Sequence, residues 1–217
     1  MILHARDAYL KGYRKVLISA NDTDVVVIAV AVVSALEGLE LWVTFGRGQN
    51  IIYIPTHEIA RKLGHQRSWG LLFLHAITGC DTVSAFNGIG KKTAWDVWTG
   101  MPHLWPLFQK LASAPVSVSE ADIEEIERFV VVMYSRTSPA HTVNDARKQL
   151  VANNNRQIEN ISPTKAALFE HTKIAVYQAY CVILSFHLLD YGVGKKKMDS
   201  GFPSGQHFPK HVKPVVN

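Results

Sequence analysis

Residues 15–36 read KVLISANDTDVVVIAVAVVSAL, and this stretch decides the fold of the first part of the chain. Its opening segment, Lys15 to Ala20, is a short apolar run that predicts a buried strand. A second apolar run begins at Val25. Its β-branched residues favour a strand, but its length and the acidic turn before it favour a buried helix, which we predict. A strand followed by a helix is typical of an α/β layered sheet.

The neighbouring segments extend this pattern. Residues 2–13 carry apolar side chains at helical spacing, which predicts a helix before the first strand. Residues 40–45 (ELWVTF) and 50–55 (NIIYIP) are predicted strands, separated by a GRGQ turn. Thr56 is predicted to cap the helix that follows the second of them.

From Ser68 onward the pattern is helical, and no further strand is predicted. The predicted helices are 68–79, 91–100, 103–112, 119–135 and 162–189. The last should begin with Ser162 as its cap and Pro163 at its first helical position. We therefore expect an α/β core at residues 1–66, a helical region at 67–190 and a basic tail containing Gly and Pro at 191–217.

The composition is that of a packed globular protein, with 47% hydrophobic and 19% charged residues. The net charge of +5 comes largely from the tail and is compatible with a polyanionic partner. Two distant cysteines cannot form a disulfide framework or a zinc site, which favours a reducing compartment. No secretory signal or membrane-spanning run is present, so we expect an intracellular protein, nuclear or cytoplasmic, without a membrane partner.

Two carboxylates, Asp22 and Asp24, follow the first predicted strand. The end of a buried strand is where open α/β sheets place their sites, and two acids one residue apart can reach the same Mg²⁺ ion. The alternative is that they only cap the following helix, because Asp stabilises its free N–H groups. Asp81, in the sequence TGCDTV, has the same two interpretations, and each acid on its own favours the cap.

The segment GIGKKTA, residues 88–94, has the Gly-hydrophobic-Gly-x-x-x-Ala form of a helix–hairpin–helix. Gly88 and Gly90 let the backbone approach a partner closely, and free N–H groups at a helix N-terminus can bind a phosphate without reading bases. Lys91 and Lys92 add positive charge and salt-dependent affinity. The alternative is an ordinary turn between helices with a solvated lysine pair.

The order of these motifs resembles the flap-endonuclease-like branch of the PIN-domain nucleases. In that family an Asp-x-Asp pair ends a strand, and a later Asp in a GCD sequence binds metal. A helical hairpin with Gly-x-Gly binds the duplex backbone, often with a potassium ion. The resemblance implies that the catalytic and metal-binding acids are Asp22, Asp24 and Asp81. It implies that the nucleic-acid-binding residues are Gly88, Ile89, Gly90, Lys91 and Lys92.

A closer resemblance covers almost the whole chain, through residues 1–29, 75–92 and 158–180. These stretches are similar to uncharacterised mobile-element-associated open reading frames of animal genomes that carry the same nuclease-like domain. In both groups an acidic stretch and a further acidic strand precede the helix that begins at Met1. We therefore expect a PIN-like (Rossmann-like) sheet that is incomplete at the N-terminus, in either a fragment or a degenerate copy.

The resemblance implies a metal-dependent, structure-specific endo- or exonuclease that hydrolyses nucleic-acid phosphodiesters, with DNA as the expected partner. Two Mg²⁺ or Mn²⁺ ions would be held by clustered carboxylates, and K⁺ is a further expectation at the hairpin. With only three acids matched, the sequence also leaves open a non-catalytic nucleic-acid-binding or scaffold protein derived from a mobile element. A third interpretation is an interaction domain whose acids are only caps.

Overall fold

The computed structural model describes residues 1–113, 117–153 and 161–187. The strands are β1 (Lys15–Ser19), β2 (Glu40–Phe45) and β3 (Ile52–Pro55). The α-helices are α1 (Ile2–Leu10), α2 (Thr23–Val32), α3 (Thr56–Leu63), α4 (His65–Ile77), α5 (Lys91–Thr99), α6 (Leu104–Ser113), α7 (Glu120–Tyr134), α8 (Val143–Asn153) and α9 (Lys165–His187). Within these ranges, no helix is both long enough and apolar enough to cross a membrane.

The chain divides into two compact units. The first contains Met1–His65 and the last turns of α9 from Val182, and the second contains Gln66–Cys181. The strands all lie in the first unit, and α5 to α8 lie in the second. The predicted tail at 191–217 and the end of the last predicted helix, Leu188 and Leu189, lie outside the described residues.

The first unit is built on a three-stranded mixed sheet in the order β1-β2-β3. β1 and β2 are parallel, and β2 and β3 are antiparallel. A parallel pair needs a crossover connection, and α2 provides it. The apolar side of α2 packs against β2, whose Leu41 and Val43 are fully buried. The sequence prediction of an α/β fold is therefore confirmed, and the ambiguous run from Val25 is a helix.

One predicted cap in the first unit is wrong. Thr56 is the first residue of α3 rather than its cap, and Pro55 precedes the helix. The Thr56 side chain is fully buried, and its hydroxyl donates a hydrogen bond to the carbonyl of Leu41 over 2.9 Å. Because Leu41 lies in β2, this bond joins α3 to the sheet.

The core of the second unit is aromatic. Trp98, Phe73, Phe108 and Phe129 are fully buried, and the Phe108 ring stacks on Trp98 and meets Phe73 and Phe129 edge-on. Gly70 makes this packing possible, because a Cβ at that position would lie 3.2 Å from both Trp98 and Phe108. These rings join α4, α5, α6 and α7 into one packed group.

A capping box and an ion pair stabilise the N-terminal end of α7. Ser119 and Asp122 form a capping box, and the Asp122 carboxylate accepts two hydrogen bonds of 2.9 Å from the ammonium of Lys110 in α6. Burial alone would raise the pKa of Asp122. The bonds from Lys110 and Ser119 to the ionised form outweigh burial, so its pKa lies below the usual value.

A buried acid joins α7 to the two helices that follow. Glu127 is 1% exposed, and its Oε1 accepts a hydrogen bond of 3.1 Å from the N–H of Val143, the first residue of α8. Its other oxygen lies 3.5 Å from the ammonium of Lys165, the first residue of α9. No helix was predicted from the sequence at α8. The Glu127 carboxylate accepts a hydrogen bond from the first N–H group of this helix, which has no partner within the helix.

The predicted beginning of α9 is also wrong. The helix begins at Lys165, and the hydroxyl of Thr164 accepts a hydrogen bond of 3.3 Å from the N–H of Ala167, as a cap does. Ser162 is buried and donates instead to the carbonyl of Val143 over 3.4 Å. The hydroxyl of Ser162, which was predicted to cap α9, therefore bonds to a residue that is distant in the sequence.

Candidate functional site

Asp22 and Asp24 lie at the carboxyl end of β1, on the edge where the parallel strand β2 also ends. Asn21 joins the two strand ends, since its Oδ1 accepts a hydrogen bond of 2.7 Å from the N–H of Gly46. Asp22 is the N-cap of α2, and its Oδ1 accepts a hydrogen bond of 2.9 Å from the N–H of Asp24. The interpretation of Asp22 as a cap is confirmed, and its second oxygen is not part of that bond.

Asp81 occupies the tip of a tight turn. Cys80 and Val83 pair through both of their backbone groups, at 2.9 and 3.2 Å, with Asp81 and Thr82 exposed between them. The alternative interpretation of Asp81 as a helix cap is wrong, because no helix begins until Lys91. The turn presents the carboxylate to solvent.

Gly79 makes this turn possible. Its φ is +102°, a conformation that L-residues rarely adopt, and a Cβ there would lie 2.7 Å from the Cβ of Ala85. The chain therefore folds back tightly between these two residues. This fold fixes the path of the segment from Gly79 toward the Gly88–Lys92 turn.

The three predicted metal ligands do not belong to one unit. Asp22 and Asp24 are in the first, and Asp81 is in the second. Among the residues that the structure describes, no group of three or more His, Cys, Asp and Glu side chains is arranged to hold a metal ion. The assignment of Asp22, Asp24 and Asp81 as catalytic metal ligands stays a prediction.

The Gly88–Lys92 turn leads directly into α5. Gly88 has φ +73°, whereas Gly90 has the ordinary values of φ −82° and ψ 159° and is the N-cap of the helix. Both glycines are exposed. The preceding helix, α4, ends at Ile77, and residues 78–90 contain no helix. The compact helix–hairpin–helix predicted from the sequence is therefore not confirmed, because only its second helix adjoins the turn.

The two lysines of the turn have different surroundings. The ammonium of Lys91 reaches back to the end of α4, where it donates to the carbonyls of His75 (3.0 Å) and Gly79 (2.5 Å). The side chain of Lys92 is 87% exposed and forms an ion pair of 2.9 Å with Asp96, one turn along α5. The sequence analysis gave both lysines the same role, whereas in the structure the ammonium of Lys91 contacts backbone carbonyls and that of Lys92 contacts a carboxylate.

Tyr134 is a contributor that the sequence did not indicate. Its hydroxyl donates a hydrogen bond of 3.2 Å to the carbonyl of Asn87, immediately before Gly88. Burial raises the pKa of Tyr134, so the phenol remains a donor at physiological pH. Asn87 and Tyr134 are distant in sequence, and no local pattern connects them.

The first unit also contains an open cavity of about 380 Å³. The residues that line it include His57 and Arg61 of α3, and Glu40 at the amino end of β2. Asp22 and Asp24 follow the carboxyl end of the neighbouring parallel strand, so this cavity is at the opposite edge of the sheet. None of the residues predicted to be functional lines it.

No protein-family model, curated protein or solved structure matches this chain. The exposed turn before α5 and the carboxylates at the end of β1 are the two features that bear on the predicted chemistry.

Proposed function

We propose that this chain binds the sugar–phosphate backbone of nucleic acid, DNA in particular, through the Gly88–Lys92 turn. We further propose that it acts there as a metal-dependent, structure-specific nuclease-like domain. The observation that carries the proposal is Gly90. Its backbone angles are open to any residue, and a Cβ built there would have no atom within 4 Å. Ser, Asp or Asn would cap the helix at least as well as glycine at this position, whereas a phosphate held against the backbone would need the space that a side chain would fill.

The chemistry of the helix end agrees with this interpretation. The first N–H groups of an α-helix have no partner within the helix, and they carry the positive end of its dipole. Gly90, the N-cap of α5, has no side chain that could compete for these groups, and N–H groups at a helix N-terminus are suited to bind an oxygen anion. Such binding recognises the backbone of the nucleic acid and not its bases.

The nuclease part of the proposal concerns Asp22, Asp24 and Asp81. Carboxylate oxygens are the ligands that Mg²⁺ and Mn²⁺ prefer, so Asp22 and Asp24 are chemically suitable. Two bound ions would supply a hydroxide nucleophile and stabilise the leaving oxygen. Two acids do not complete such a site, and Asp81 would have to contribute the third.

The binding proposal is tested by measuring the affinity of Gly90→Ala for a fluorescent duplex by anisotropy. We expect a loss of at least several-fold, because the added methyl group stands where the phosphate would approach. The melting temperature should stay at the wild-type value. Wild-type affinity in Gly90→Ala would overturn the proposal.

The nuclease proposal is tested separately by plasmid nicking with Mn²⁺. Cutting by the wild-type chain that is lost in Asp24→Asn supports it. A K⁺ requirement at the turn is tested in the same assay by exchanging KCl for LiCl at constant ionic strength.

The second candidate is a non-catalytic nucleic-acid-binding or scaffold protein. The use of the Asp22 carboxylate as a helix cap favours it, because that role explains the acid without a metal. The nicking assay separates the candidates: salt-sensitive DNA binding without metal-dependent cutting supports the second.

A further inference from the structure

The carboxyl end of α4 is an oxygen-rich site that binds donors from two other helices. The last carbonyls of a helix have no partner within it and carry the negative end of its dipole. The ammonium of Lys91 donates to the carbonyls of His75 and Gly79, at 3.0 and 2.5 Å, and lies 3.4 Å from the hydroxyl of Thr78. All three oxygens are acceptors that suit the N–H donors of an ammonium.

α9 supplies the second donor to this end of α4. The Nε2 of His171 lies 2.8 Å from the carbonyl of Ile77, and its ring packs against Phe86 at 5.0 Å between centroids. Phe86 is buried and belongs to the segment that leads to the turn. The same end of α4 is thus bound from two sides.

Lys91 also closes the loop that carries Asp81. Lys91 immediately follows Gly90, yet its side chain reaches residues 12 and 16 positions earlier in the sequence. The ends of the segment 78–90 are therefore held together by one side chain. Its later part is held by the bond from Tyr134 to Asn87.

We infer that Lys91 is a positioning residue, which fixes the Gly88–Gly90 turn by binding the carboxyl end of α4, and that Lys92 provides the side-chain charge for the phosphate. The assignment to Lys92 rests on the proposed function, whereas the role of Lys91 does not. The exposed ion pair of Lys92 with Asp96 costs little to break, so its ammonium can transfer to a phosphate.

Two variants with the same loss of charge, Lys91→Met and Lys92→Met, test this inference. The slope of log affinity for duplex DNA against log salt concentration reports the number of phosphates neutralised. Lys92→Met should make this slope shallower by about 0.9. Lys91→Met should leave the slope unchanged and weaken affinity at every salt concentration, by roughly tenfold for one lost charged hydrogen bond.

Two further measurements decide the role of Lys91 whether or not the chain binds DNA. Each hydrogen bond slows the exchange of ammonium protons with water, so the ¹⁵Nζ resonance of Lys91, which donates to two carbonyls, should show slower exchange than that of Lys92, which donates to the Asp96 carboxylate. In Lys91→Met, amide exchange should accelerate in residues 79–90 more than in α7. If the variant proves too unstable, the wild-type resonance alone tests the geometry.

The outcomes separate the two proposals. If wild-type protein does not bind DNA while the Lys91 resonance is protected, the proposed function fails and the positioning role stands. If the wild type binds and Lys91→Met makes the salt slope shallower, or if the Lys91 ammonium exchanges as fast as that of Lys92, the positioning role is wrong.

Discussion

Three glycines in one segment have three different physical reasons to be glycine, and this makes alanine substitutions informative. Gly79 has φ +102° and almost touches Ala85. Gly88 has φ +73° and open space around its Cβ position. Gly90 has an ordinary φ of −82° and equally open space. We expect the loss of stability on substitution by alanine to fall in the same order.

The magnitudes follow from these geometries. A left-handed backbone costs an L-residue about 1–2 kcal/mol, and displacing packed atoms adds about 1–3 kcal/mol. Replacing glycine by alanine restricts the unfolded chain and offsets about 0.4–1 kcal/mol of that cost. The free energy of unfolding should therefore fall by about 2–4 kcal/mol in Gly79→Ala and by about 1 kcal/mol in Gly88→Ala.

Gly90→Ala should leave stability within about 0.5 kcal/mol of the wild type. Alanine is a much less favoured N-cap than glycine, which costs about 0.5–1 kcal/mol, and the restriction of the unfolded chain offsets about 0.4–1 kcal/mol of this cost. A loss of DNA affinity in Gly90→Ala is then attributable to the turn itself, since the fold is intact. This variant is thus both the stability control for the series and the test of the proposed binding surface.

The assay is urea unfolding followed by tryptophan fluorescence, since four of the five tryptophans lie in the second unit with these glycines. Free energies extrapolated to water are compared among the three variants and the wild type. The reasoning is refuted if Gly79→Ala is no less stable than Gly88→Ala. It is equally refuted if Gly90→Ala is the least stable of the three.

Three further predictions concern other parts of the structure. Glu127→Ala should lower the free energy of unfolding by about 2–4 kcal/mol, because it leaves the N–H of Val143 without its buried acceptor. Glu124→Gln, at an exposed acid of the same helix, is the control and should cost less than about 0.5 kcal/mol. The lowered pKa of Asp122 means that its ionised form stabilises the fold above the unfolded pKa of about 3.9, and this contribution is lost as pH falls through the lower folded value. Urea midpoints of the wild type should therefore approach those of Asp122→Asn as the pH drops below about 4. Asp22→Ser keeps a good N-cap and removes the carboxylate, so near-wild-type stability with loss of Mn²⁺-dependent cutting would assign Asp22 to the metal, and unchanged cutting would exclude it from that role.

The elements that sequence could predict are those whose signal is local and repeated. The strand at β1, the helix at α2 and the two strands β2 and β3 follow from apolar runs separated by turn residues. α8 was missed because, among its side chains that the structure describes, Val143 and Ala146 alone are buried, which is a weak apolar pattern. Its beginning depends on Glu127, which is 16 residues away and belongs to another helix.

The candidate site was predictable only as a set of residue types. The sequence placed Asp22 after a strand and identified the turn before α5, but it could not show that Asp81 stands at the tip of a tight turn. That arrangement depends on the contact between Gly79 and Ala85, which no spacing rule reveals. The bond from Tyr134 to Asn87 spans 47 residues and is equally invisible to a local pattern.

The difference between Lys91 and Lys92 also changes how a charge-reversal experiment must be designed. Consecutive residues of a helix point about 100° apart, so one lysine can face α4 while the next faces solvent. Lys91→Glu would place a carboxylate against the carbonyls of α4, where like charges repel, and the loop would be disrupted whatever its ligand. A double reversal that abolished DNA binding would therefore not demonstrate a phosphate contact. Lys92→Glu alone keeps the Lys91 bonds intact, so lost affinity in that variant, at unchanged melting temperature, would identify the contact; retained affinity would show that the backbone N–H groups bind without help from either lysine.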